Sequence, residues 1–217
     1  MQKKKLCTKS EYFQAAFGGD FAEASKKEIQ LPEDDANAVG CFLEWIYQND
    51  KKIPLDFHLP SDDRAIYLKK TLYPAFLFAE KYCIVDFQNA VIDIIQMIHY
   101  REETLVDTED IAAIYHNTRE GSKLRLFCVA LVAWAICDES FRPEGKDINE
   151  DQLRGFAELS QNVTGFTFDL LCFQAEYGAV FYEDPAVIQE AARTTDMVMD
   201  SRRVWVANSS IAKLLVT

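Results

Sequence analysis

Histidines, cysteines and clustered acids are the residues of this sequence that could do chemistry, and their spacing decides what chemistry that would be. A metal ion needs ligands that converge on one point, which in sequence shows as Cys or His paired about two to five residues apart. Here His58, His99 and His116 are isolated, and Cys7, Cys41, Cys83, Cys128, Cys137 and Cys172 are widely spread. The histidines therefore read as surface or satisfied core groups. A phosphate cradle needs several glycines before a helix, and Gly18-Gly19 has no Gly-Lys-Ser/Thr after it. The Gly-x-Ser-x-Gly of a nucleophile elbow is missing. Glu33-Asp34-Asp35 and Asp62-Asp63 could be drawn as acid-base pairs, but among 35 acids such clusters arise by chance. Helix capping accounts for the first and loop solvation for the second. Neither continues into a calcium loop. The expectation is no catalytic, cofactor or metal site: the chain is not an enzyme, unless the C-terminal half hides one of unrecognised type.

Charge narrows the partners. With 23 Lys and Arg against 35 Asp and Glu the net charge is −12, so nucleic acid and anionic membrane surfaces are repelled. The short lysine clusters, such as Lys3 to Lys5 and Lys69-Lys70, are each diluted by nearby acids and read as solvated surface. The N-terminus is basic but no apolar stretch follows it, so it does not read as a signal peptide. The longest apolar run, Leu126 to Cys137, is too short to cross a bilayer and reads as a buried helix. Without a secretory signal the six cysteines are expected to be reduced, the sequons at Asn162 and Asn208 carry no meaning, and the location is cytoplasmic and/or nuclear.

The elements that would position any site are mostly helices. Ser10 to Phe17 puts Tyr12, Phe13, Ala16 and Phe17 on one face, with Ser10 as cap and Gly18-Gly19 as stop. Glu28-Ile29-Gln30-Leu31 alternates like a short strand. From Asp35 to Tyr47 the stripe is Val39, Phe42, Leu43, Ile46 and Tyr47, capped by Asp34 or Asp35. Residues 48–71 read as a long loop or insertion with one short helix around Arg64 to Leu68. Helices follow at Leu72 to Tyr82, at Asp86 to His99 with Phe87, Ala90, Val91, Ile94, Ile95 and Ile98 in register, and at Thr108 to Asn117. Ser122 to Cys137 comes next, with Leu124, Phe127, Cys128, Leu131, Val132 and Ala135 aligned. Arg142 to Gly145 breaks the chain before helices at Glu150 to Leu159 and Thr167 to Tyr182, and a last one runs from Asp184 and Pro185 to Arg193. Val204-Trp205-Val206 is the one strand-like piece near the end. Most aromatics lie on these stripes and belong to the core. Phe21 does not, and it reads equally as core or as an exposed partner anchor.

Six pieces, in order, resemble a BTB/POZ domain of the kind common in fungal proteins. They are Leu6 to Phe13, Phe21-Ala22-Glu23, Ile29 to Asp35, Phe42 to Tyr47, Ala79 to Cys83 and Phe87 to Ala90. The resemblance implies an α+β fold, mainly helical with a minimal β element, occupying residues 1–100 with the insertion at about 48–71; a helical C-terminal region at 101–217 completes the chain. It implies a non-catalytic interaction module that pairs with itself or with other proteins and uses no cofactor. It also implies, as the alternative, a substrate adaptor of a cullin-type ubiquitin ligase, because the apolar-x-Glu motif of such adaptors falls on Phe21, Ala22 and Glu23. Family members begin with two strands and a His-Lys lead-in, whereas this chain opens at Gln2 already inside the first helix. The expectation is thus either an N-terminally truncated form or gene model, or a chain in which another segment such as Val204 to Val206 substitutes for the strands, with the homodimer weakened.

Overall fold

Asp35 starts a helix because its carboxylate does what the first turn of backbone cannot do for itself. Oδ1 accepts from the N–H of Asn37 at 2.8 Å and of Ala38 at 3.1 Å, and the helix then runs Ala36–Tyr47. The chain is known here from a computed structural model, which describes residues 3–19, 22–48, 53, 60–102, 104–137 and 150–182. In chain order the helices are α1 (Lys3–Cys7), α2 (Glu11–Gly18), α3 (Ala22–Lys26), α4 (Ala36–Tyr47), α5 (Ser61–Tyr67) and α6 (Tyr73–Lys81). They continue with α7 (Val85–Glu102), α8 (Thr108–Asn117), α9 (Lys123–Cys137), α10 (Glu150–Asn162) and α11 (Phe166–Tyr182). The chain divides into two compact units, Met1–Ile98 and His99–Thr217.

In the first unit α4 packs on α6. Its inner face holds Ala38, Cys41, Phe42, Trp45 and Ile46. The predicted stripe is therefore turned by about one residue, or about 100°. Phe42 and Ile46 are buried as expected, Val39 and Leu43 are half-buried, and Tyr47 is exposed. The reason is volume: apolar residues lie on more than one side of this helix, and the indole of Trp45 takes the inner position against Phe42 and Phe87.

The loop expected at 48–71, with one short helix around Arg64 to Leu68, is corrected in its second half: the helix is present but longer. Helix begins at Ser61 and is continuous with α6 through a π-helical turn, Leu68–Leu72. No residue of α5 is buried, so no apolar stripe marked its full extent. Pro74 explains the π turn. Without an N–H it cannot bond the carbonyl of Lys70, four residues back, and its ring would clash with that carbonyl in a regular helix. The wider turn makes room, with the N–H of Tyr73 reaching the carbonyl of Leu68. The Lys70 carbonyl accepts from Asn37 Nδ2 of α4 at 3.3 Å.

Two further expectations are corrected. Ser10 occupies the N-cap position of α2 but makes no side-chain cap; its hydroxyl donates instead to the carbonyl of Tyr82 at 3.1 Å, tying α2 to the end of α6. Glu28 to Leu31 is irregular, and no strand exists among the described residues, so the expected β element is not seen. The alternation in that segment is real, with Ile29 and Leu31 half-buried and Glu28 and Gln30 exposed. Alternation alone does not make a strand, because a ladder needs a neighbour to pair with. Val204 to Val206, the break at Arg142 to Gly145 and the helix expected from Asp184 to Arg193 lie outside the described residues.

α6 ends in a Schellman motif. The N–H of Ile84 bonds the carbonyl of Ala79 at 2.8 Å and that of Cys83 bonds Glu80 at 3.2 Å, while Cys83 takes the left-handed conformation at φ 52. Ile84 is fully buried beyond the turn and sets the start of α7.

In the second unit α9 is central and packs against α8 and α11, and α10 packs against α8 and α11. From Leu124 to Ala133 every residue of α9 except the half-buried Leu126 is buried. The buried cation Arg125 is satisfied from several directions. Nε donates to Thr118 Oγ1 at 2.9 Å, and NH2 donates to the carbonyl of Tyr115 at 2.7 Å and to that of Thr118. The guanidinium also lies 4.6 Å from the centroid of the Tyr115 ring. The Tyr115 hydroxyl donates to Asp169 Oδ2 of α11 at 2.9 Å. Burial and that carboxylate raise the phenol well above its ordinary range.

Candidate partner-binding surface

The residues singled out for partner contact, Phe21, Ala22 and Glu23, fall at the start of α3. Phe21 lies outside the described residues, Ala22 opens the helix, and Glu23 is half-buried in its first turn, where an acid suits the positive end of the helix. α3 packs against α2, and Lys27, directly after it, takes the left-handed conformation at φ 57. The position of Glu23 therefore depends on how firmly α2 is held.

α2 is held by rings. Phe13 lies 5.9 Å from Phe42 and 5.6 Å from Tyr82 between ring centroids. Phe42 in turn meets Phe78 at 5.3 Å and Phe87 at 5.1 Å. One aromatic cluster thus fastens α2, α4, α6 and α7, and contacts of this kind add to plain burial. Asp34 fixes the segment that leads from α3 to α4. Its side chain, 6% exposed, accepts from the Tyr82 hydroxyl at 2.6 Å and from Lys81 Nζ at 3.1 Å. Burial, then the bond to Asp34, pushes the Tyr82 phenol up to about 12, and the same carboxylate raises Lys81. The acid run thus divides its work: Asp35 caps α4 and Asp34 anchors to α6.

The exposed apolar groups of this unit were not those the pattern implied. Tyr12 and Tyr47 were placed on buried stripes, yet each is 45% exposed. Tyr12 leans on Tyr82 at 4.6 Å, and Lys5 Nζ lies 5.1 Å from the Tyr47 centroid. Val85 and Ile66 are exposed as well. Phe13, Phe42 and Trp45 went inward and the two rings left outside are tyrosines, yet Tyr73 and Tyr82 are buried, the latter with its hydroxyl bonded to Asp34. Exposed aromatics supported from below are typical anchors for another protein.

The groups able to do chemistry are differently placed. His99 is buried, with Nδ1 3.1 Å from both the carbonyl and the hydroxyl of Thr104, and burial lowers its pKa. His116 is exposed and His58 lies outside the described residues. Burial pushes the Cys41 thiol up to about 11, and it raises Cys128 further, which suppresses the reactive thiolate. No group of three or more His, Cys, Asp or Glu among the described residues could hold a metal ion. Nor is any described helix long and apolar enough to cross a membrane.

Comparison with known proteins adds one finding. No curated protein and no solved structure matches the chain. A family match is found over the stretch that contains α1 to α6 and most of α7: residues 1–97 match the BTB/POZ domain.

Proposed function

We propose that this chain is a protein-interaction module, a scaffold that associates with itself or with other proteins through its first unit. The observation that carries the reading is the match to the BTB/POZ domain at residues 1–97, since such domains generally mediate protein–protein interaction. The exposed Tyr12, resting on Tyr82 of the aromatic cluster, and the exposed Tyr47 favour a surface that grips polypeptide. Its work is association without catalysis, in the cytoplasm and/or nucleus, where the thiols of Cys41 and Cys128 stay reduced in the core. Sedimentation of the purified chain, alone and with partners cross-linked in cells, tests it. Concentration-dependent mass or a defined partner is expected, and a strict monomer that retrieves nothing refutes it.

A second reading is a cullin adaptor, because some BTB/POZ domains dock on cullins and Glu23 stands in the first turn of α3 with part of its side chain accessible. Here Phe21 would enter a pocket on the cullin while Glu23 meets a donor at its rim. Cullin should co-purify with the native chain and be lost with Glu23→Lys. Equal recovery from both chains rejects this reading while leaving the scaffold intact.

A further inference from the structure

Positive charge gathers at α1 in a chain that is acidic as a whole. The first ten residues hold Lys3, Lys4, Lys5 and Lys9 and no acid, and no other ten-residue stretch is as positive, against a net charge of −12. The acids expected to dilute these lysines reach only Lys9, whose Nζ lies 3.3 Å from Asp86 Oδ2. Lys4 is exposed and Lys5 half-buried, and neither has an ion-pair partner among the described residues.

Lys5 meets a ring instead. Its Nζ lies 5.1 Å from the centroid of Tyr47, which ends α4 and is 45% exposed. An ammonium has three donors, and a ring face leaves most of them open. Lys5 and its neighbour Lys4 can therefore each take a carboxylate, while the Tyr47 ring beside them offers apolar area to an adjoining side chain. The single acid of α4, Glu44, stands close to Cys41 and Tyr67.

We infer that an acidic segment of a partner protein docks on Lys4, Lys5 and Tyr47, its carboxylates on the two ammoniums and an apolar side chain on the ring. The inference rests on the interaction-module reading and names the chemistry of the partner. Charge decides among occupants. A nucleic acid or an anionic membrane spreads its charge widely and meets the acids of the rest of the chain. A short acidic segment stays on the patch, and at physiological salt exposed charges more than about 8 Å away are largely screened.

Fluorescence anisotropy of a fluorescein-labelled peptide, three repeats of Glu-Glu-Leu, tests this on the intact chain. Binding is expected at least tenfold tighter than for the same peptide with Gln in place of Glu, and it should weaken steadily as salt is raised. Lys4→Glu with Lys5→Glu should cost at least tenfold in affinity and Tyr47→Ala at least threefold. Lys26→Glu with Lys27→Glu reverses the same charge at exposed lysines flanked by Glu23 and Glu28, and should cost less than twofold. Should the reversal at α1 unfold the chain, Lys4→Gln with Lys5→Gln gives the same reading by neutralisation. The proposal is overturned if the Glu and Gln peptides bind alike, if the two reversals weaken binding equally, or if Tyr47→Ala has no effect. Tighter binding of an oligonucleotide of equal charge overturns it as well. The module reading fails separately: partners retrieved from cells undiminished by the chain with Lys4→Glu and Lys5→Glu reject this surface and keep the module.

Discussion

Replacing Cys83 by glycine should make the protein more stable, and the size of the gain follows from the turn that ends α6. Cys83 occupies the left-handed position of a Schellman motif at φ 52, where a side chain costs about 1–2 kcal/mol and glycine is the usual occupant. Its thiol is exposed, so no packing is lost when it is removed. Against this, glycine gives the unfolded chain more freedom, which costs the fold about 0.5–1 kcal/mol. The balance is a gain of about 0.5–1 kcal/mol, or about 1–4 °C in Tm for a chain of this length. Urea unfolding monitored by the near-ultraviolet signal of the aromatic cluster measures it, with the slope unchanged and the midpoint raised. Cys83→Ala is the control: alanine keeps the strain and should stay within about 0.5 kcal/mol of the native chain. If alanine stabilises as much as glycine, the gain comes from losing a thiol and the backbone argument fails.

Three other outcomes are expected. Gly165 has φ +88 with open space around it, the nearest atom to an added Cβ being Arg125 NH1 at 3.9 Å; Gly165→Ala should therefore destabilise by about 1 kcal/mol through the backbone alone, and an unchanged midpoint refutes this. Asp35→Ala removes two hydrogen bonds at the start of α4 and should cost about 1 kcal/mol in urea unfolding, most of it restored by Asp35→Asn. His99 is held below its ordinary 6.5 by burial, and its folded form stays neutral while the unfolded chain takes up the proton. Its contribution is present above pH 6.5 and is lost as pH falls below that value. His99→Asn should flatten the fall in midpoint between pH 7 and pH 5.5, and identical slopes for the two proteins contradict the assignment.

What the sequence revealed was local, and what it hid was not. The cap at Asp35, the Gly18-Gly19 stop and the span Thr108 to Asn117 were legible because each depends on neighbours in the chain. The rotation of α4 was not legible, because it is decided by how Trp45 fits against Phe87, more than forty residues away in sequence. The full length of α5 was hidden because it buries nothing, and the strand reading failed because alternation cannot report whether a neighbour exists. In the candidate site neither spacing nor aromatic type separated inner from outer rings, since Tyr12 and Tyr47 are exposed while Tyr73 and Tyr82 are buried. The hold on Arg125 drew on Thr118, Tyr115 and their carbonyls, and no short motif announces such a convergence.

The π turn before Pro74 makes that stretch unforgiving to shortening. One residue deleted from Leu68–Leu72 would let a regular ladder form but would drive its carbonyl into the proline ring. It would also roll α5 about 100° around its own axis, swinging the Tyr67 hydroxyl away from the Cys41 thiol it meets on α4. Length here is thus fixed by the angular phase of one helix relative to another, a constraint that any chain redesigned around Pro74 would inherit.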